Sequence, residues 1–185
     1  MKILSTDIFM FKIPMTPFTI ATGTMEYAQN IVIKIHTDEG IIGWGECSAF
    51  PMIVGETQLS CYQIAKDFAS FWKGKNPLAI SERLQELDSI IAGNYTAKSA
   101  FDLALYDIAA KAANQPLYAF LGGKSIPIET DLTIGIDTPE NMAKDAIDFV
   151  QQGVNIIKVK LGKDPEQDVV RIKKIREAIG YHTKI

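Results

Sequence analysis

The spacing of apolar residues changes twice along the chain, and each change marks a change of structure. Residues 3–13, 30–36 and 41–46 read as three strands, the last two joined by the turn Thr37-Asp38-Glu39-Gly40, whose glycine permits a positive backbone angle. From Thr57 the pattern turns helical. Leu59, Tyr62, Ala65, Phe68, Ala69 and Trp72 recur at threes and fours behind a threonine suited to cap the helix, and Gly74 and Pro77 end it. A second amphipathic segment, 78–91, places Leu84, Leu87 and Ile91 on one stripe and stops at Gly93-Asn94. The most apolar helix follows at 97–113, with Phe101, Ala104, Leu105, Ile108 and Ala112 on one face and alanines that allow close packing. A short helix at 116–121 stops on Gly122-Gly123.

Beyond the glycines, strands and helices alternate: strand 127–136, helix 139–152, Gly153, strand 154–161, helix 165–179, and a strand start at Thr183-Lys184-Ile185. A βαβα order implies parallel pairing, right-handed crossovers and helices that cover the strands. The pattern predicts an α+β unit, a three-stranded meander plus helices, followed near residue 123 by the start of an α/β unit. Two parallel strands and a stub neither close a barrel nor complete an open sheet, so further strands are expected beyond Ile185.

With 185 residues and 47% apolar content, the chain can bury a core as one large domain or two small ones. Nineteen basic and twenty-two acidic residues are spread without long runs, which argues against a nucleic-acid partner or an acidic tail. No apolar run approaches the roughly 20 residues that span a bilayer, and Asp7 stands where a signal peptide would be apolar. No membrane partner is expected, and the expected location is cytoplasmic. Cys47 and Cys61 suit buried free thiols better than a disulfide framework or a C-x-x-C pair. His36 and His182 lack a second His or Cys at metal-ligand spacing, which leaves them structural or surface roles.

The candidate chemistry lies in Asn155-Ile156-Ile157-Lys158-Val159-Lys160-Leu161-Gly162. Side chains alternate along a strand, so Ile156, Lys158 and Lys160 share one face and Ile157, Val159 and Leu161 the other. Two readings are open. The lysines line the solvated face of an amphipathic strand, or they face a barrel interior while the apolar set faces the helices. In the second case desolvation and a neighbouring ammonium both disfavour the charged amine, which makes a base for proton transfer, and the C-terminal end of a strand is where barrel enzymes place catalysis. Gly122-Gly123 has the spacing of neither the dinucleotide loop nor the P-loop. Asp164, Glu166 and Asp168 begin a helix and favour its positive end.

Five stretches carry a further pattern: Gly43-Trp44-Gly45-Glu46-Cys47; Ala97-Lys98-Ser99-Ala100 leading to Ala104-Leu105-Tyr106-Asp107; Pro116-Leu117-Tyr118 with Leu121-Gly122-Gly123; Thr130-Asp131-Leu132-Thr133; and Lys158-Val159-Lys160-Leu161-Gly162. Their order and spacing together are specific. On these residues nearly the whole chain resembles the N-terminal part of the enolase superfamily's muconate-lactonizing subgroup, in particular its dipeptide epimerases. The resemblance implies a capping domain over residues 1–122 and, over 123–185, the first βαβα units of a modified (β/α) TIM-type barrel.

For activity, the resemblance implies an isomerase that inverts a Cα centre by 1,1-proton transfer through an enediolate. In that chemistry, general to the superfamily, Lys160 moves the proton α to a carboxylate and Lys158 supports it electrostatically. The second negative charge so created calls for a divalent ion, Mg2+ in the full-length parent. The family's Asp, Glu and Asp ligands on the third, fourth and fifth barrel strands, and its opposing lysine on the sixth, fall beyond Ile185. The 185 residues alone are therefore expected to hold no catalytic metal and to be inactive.

The expected partner is a small-molecule dipeptide, and the parent is expected to be a homo-oligomer. The family's capping loops fall at about 16–26 and 48–56, where Phe18, Ile53 and Met52 would shape an apolar wall or simply pack the domain. The Thr133 hydroxyl, at the end of the first barrel strand, would bond substrate or stabilise a turn. Gly23 stands where alanyl-glutamate epimerases often carry Arg, and Thr19 where Lys is common. Loss of the guanidinium argues against a glutamate side chain and for small or apolar residues. N-acylamino acid racemase, o-succinylbenzoate synthase and cycloisomerase remain open within the superfamily, and a non-catalytic α+β interaction module outside it.

Overall fold

Strands β1 (Ile3–Ile20), β2 (Gly23–Thr37) and β3 (Ile42–Ala49) form a three-stranded antiparallel sheet in that order in the computed structural model, which describes residues 1–185. The first two strands are longer than the apolar spacing predicts. Pro14 and Pro17 interrupt the pattern, but a proline is tolerated on an edge strand, where its missing N–H need not meet a neighbour. Residues 16–26, expected as a loop, are therefore the tip of a hairpin, and Gly23 enters β2 at a φ of 151°, open to glycine. The segment 48–56 contains a single helical turn, α1 (Pro51–Val54).

On β2 the inward residues Ile31, Ile33 and Ile35 are fully buried and face Cys47, Gly45 and Gly43 across the β3 register. The two glycines leave a trough in which helix α4 (Tyr95–Ala112) lies directly on the strand. A Cβ on Gly45 would fall on the main-chain carbonyl of Ala100, and one on Gly43 on that of Ala104. The motif around Trp44 is thus a packing requirement. Asp107 reinforces it from α4: its carboxylate accepts the Trp44 N–H at 2.9 Å and pairs with Lys111 at 2.6 Å, while Lys111 also reaches the Ile42 carbonyl.

Helices α2 (Gln58–Trp72) and α3 (Ile80–Ile90) pack against the other sides of α4. The Thr57 cap is present, as a reciprocal pair with Ser60. Phe101 of α4 receives Phe68 and Trp72 edge-on, with ring centroids 5.4 and 5.1 Å apart, a geometry favoured by the aromatic quadrupole. The sparsely exposed Lys98 fastens the end of α3 through Asp88 and the Ile91 carbonyl. Helix α5 (Leu117–Phe120) closes this part.

The chain divides into two compact units, Met1–Pro14 with Tyr27–Ile126, and Met15–Glu26 with Pro127–Ile185. The hairpin tip thus packs with the second unit. In the second unit, β4 (Leu132–Ile134) and β5 (Ile157–Val159) pair in parallel, joined by α6 (Pro139–Gln151) and followed by α7 (Pro165–Ile179). Both strands are shorter than predicted because a ladder extends only where a neighbour supplies hydrogen bonds. Lys184, beyond α7, makes an isolated parallel bridge to Ile156, at the position where the sequence predicts a strand start. Ile134 and Ile157 turn toward the helices and are buried with Met142, Ala146 and Ile175. No helix is long and apolar enough to cross a membrane.

Two outcomes follow from the packing. Gly45→Ala should destabilise the protein by about 3 kcal/mol or more, because the added methyl meets backbone that cannot rotate away; denaturant titration should show a lower midpoint at unchanged slope. Burial pushes the Cys47 thiol up to about 11 and the Cys61 thiol up to about 12, from an ordinary value of 9.0. Above the ordinary value the unfolded chain releases protons that the folded one keeps. The stability these thiols contribute should be complete below pH 9 and lost as pH rises through 11 to 12, measurable by urea midpoints across that range.

Candidate active site

The lysine run lies on β5 and the loop that leaves it. Register pairs Leu132 with Ile157, Thr133 with Lys158 and Ile134 with Val159. Partners across a parallel ladder point to the same side, so the Thr133 hydroxyl and the Lys158 amine are neighbours on the face opposite the helices. Lys160, one pleat further, continues the pairing by donating its N–H to the Ile134 carbonyl at 3.0 Å. The Thr133 hydroxyl lies 3.4 Å from an Asp131 carboxylate oxygen, to which it donates.

This face is more open than a barrel interior. Lys158 is exposed and Lys160 half-buried. Two strands and one bridge curve too little to enclose their own inner surface. The shared face predicted from alternation is there.

The hairpin tip meets the exits of both strands. Ile136, just past β4, donates its N–H to the Thr19 carbonyl at 2.8 Å. A Cβ on Gly135 would lie 3.1 Å from the Thr19 nitrogen and 3.3 Å from the Phe18 ring, so the glycine makes room for the tip. Thr19 and Thr24 share a hydroxyl hydrogen bond of 2.8 Å across the hairpin. Phe18 is thereby brought to the strand end that carries Thr133, with Lys160 bonded alongside. Ile53 belongs to the first unit, on α1, where it is 60% exposed. Met52 beside it is also exposed.

Asp164 caps α7 as the sequence predicts, its side chain accepting from the N–H groups of Glu166 and Gln167. Asp168 stands in the first turn as well, and it is also buried and accepts from the Gly162 N–H. Sequence alone marks it only as one more helix-initial acid. No group of three or more His, Cys, Asp or Glu side chains could hold a metal ion, so residues 1–185 do not by themselves fit a catalytic Mg2+.

The arrangement has close relatives. A D-Ala-D/L-Ala epimerase of Cytophaga hutchinsonii is 45% identical over 179 residues, 95% of this chain and 49% of that protein. A hydrophobic dipeptide epimerase of Enterococcus faecalis is 38% identical over all of this chain and 52% of its own length. The chain spans about half the length of the curated relatives it matches. Among solved structures, a dipeptide epimerase from Cytophaga hutchinsonii complexed with Mg and the dipeptide D-Ala-L-Val superposes with a TM-score of 0.97 at 43% identity, over 99% of this chain and 50% of that one. Residues 4–122, which hold the glycine trough, α4 and the hairpin, match the N-terminal domain of the mandelate racemase / muconate lactonizing enzyme family. The chain belongs to that family, within the enolase superfamily.

Proposed function

We propose that the full-length protein to which these residues belong is a dipeptide epimerase, with Lys160 as one of its two proton-transferring bases. The observation that carries this reading is the placement of Thr133, Lys158 and Lys160 on one face at the C-terminal end of paired parallel strands. In the forward step the Lys160 Nζ takes the proton from Cα, the Cα–H bond breaks, and its electron pair passes into the adjoining carboxylate to form an enediolate. The opposing lysine, expected beyond Ile185, returns a proton to the other side of Cα. Lys158 contributes a positive charge on the same face, which favours the negative charge that develops. Charge balance on the enediolate falls to groups outside residues 1–185, where the family resemblance puts the magnesium ligands.

Phe18 and Thr133 are proposed as substrate contacts, the ring toward the dipeptide side chain and the hydroxyl toward its polar backbone. Ile53 is proposed as a further apolar contact. The tip offers uncharged Thr19, Gly23 and Thr24 to a side chain, which supports a dipeptide of small or apolar residues. The hydrophobic and Ala-Ala specificities named for the two relatives agree with that direction.

Lys160→Ala in the full-length protein should lower the rate of α-proton exchange from one epimer by about 10³-fold, followed by NMR in deuterated solvent. Full exchange from both epimers would remove Lys160 from the mechanism. An apolar dipeptide should exceed L-Ala-L-Glu in kcat/KM by about tenfold or more, the value of one missing charge-assisted bond. Equal or reversed preference in competition assays would reject the apolar assignment.

A further inference from the structure

Asp168 lies in the first turn of α7, and only 9% of its surface is exposed. Both of its carboxylate oxygens are engaged. Oδ2 accepts the Gly162 N–H at 2.8 Å, and Oδ1 accepts from an Arg171 Nη1 at 2.8 Å. Arg171 in turn donates its Nε–H to the main-chain carbonyl of Asp137 at 2.8 Å. Gly162 sits in the loop leaving β5, two residues after Lys160, and Asp137 in the loop leaving β4. A single ion pair on α7 thus grips the exits of both strands.

Capping does not explain this pair, since Asp164 already serves the first N–H groups of α7. The pair is also shielded, with side-chain exposures of 12% for Asp168 and 13% for Arg171, where charge-assisted hydrogen bonds are short and strong. Gly162 needs an external hold, because a φ of 114° is open to glycine and little else, and glycine torsions are soft. It also faces the hairpin: a Cβ there would lie 3.5 Å from the Ala21 methyl.

We propose that Asp168 and Arg171 are positioning residues for Lys160, holding the loop beyond it against the exit of β4 so that the amine stays in reach of the substrate Cα. This inference rests on the reading of Lys160 as a base. Proton transfer is sensitive to such placement, and a displacement of about 1 Å costs on the order of 100-fold.

The two-base chemistry supplies a readout that a general loss of structure would not move. In the full-length protein, Asp168→Ala should slow α-proton exchange from the epimer that faces Lys160 by about 100-fold and leave exchange from the other epimer within about threefold. Asp168→Asn keeps an oxygen for the Gly162 N–H, and should show the same selectivity with a smaller loss, provided by a variant that folds even where the alanine does not. Lys160→Ala, measured alongside, separates the two claims. If it causes no epimer-selective loss, the assignment of Lys160 fails. If it does, while folded Asp168→Asn slows both epimers equally or neither, the positioning role is overturned.

Discussion

A parallel pair of strands cannot stand with both faces bare, and the way β4 and β5 satisfy that constraint orders everything around the candidate site. Their crossover helix α6 and the following α7 cover one side, burying Ile134 and Ile157 with Met142, Ala146 and Ile175. The opposite side is then the only place for Thr133, Lys158 and Lys160. Burial of the apolar set is what commits the lysines to a common face. The cost of turning the ladder by one residue would be to exchange buried isoleucines for amines, so the register is strongly specified.

The first unit solves a different problem with a different device. Its sheet must accept α4 at close range, and Gly43 and Gly45 remove the side chains that would hold the helix away. Opposite them, Ile31, Ile33 and Ile35 fill the remaining space, and Phe101, Phe68 and Trp72 extend the core beyond α4. Asp107 and Lys111 satisfy the polar backbone at the edge of the same contact. Residues that look like a signature in sequence are here the atoms of one helix-on-strand contact.

The base of the β1–β2 hairpin belongs to the first sheet, while residues 15–26 pack with the second unit. Its tip is held by main-chain hydrogen bonding to Ile136 and by the absence of a side chain at Gly135. A segment anchored through backbone needs no particular side chain to stay in place. Phe18 and Thr19 occupy such positions, and Asp168 with Arg171 secures the neighbouring strand exit by the same principle of tying main chain to a rigid helix.

Much of this was legible from residue order. The helix that begins after Thr57 is announced by period and by its capping threonine, those at 139–152 and 165–179 by the alternation of strand and helix, and the shared face of Lys158 and Lys160 by side-chain alternation, because periodicity is a property of the local backbone. Strand lengths were not, since Pro14 and Pro17 disguise an edge strand and a ladder ends where its neighbour ends. The role of Asp168 was equally hidden: an acid in a first helical turn looks the same whether it faces solvent or a loop amide. Sequence by itself determined which side chains travel together along each element. Tertiary structure alone decided that Thr133 stands beside Lys158, that the Thr19 carbonyl receives Ile136, and that Asp168 holds Gly162, because each joins segments whose meeting depends on how the burial of apolar surface brings separate elements together.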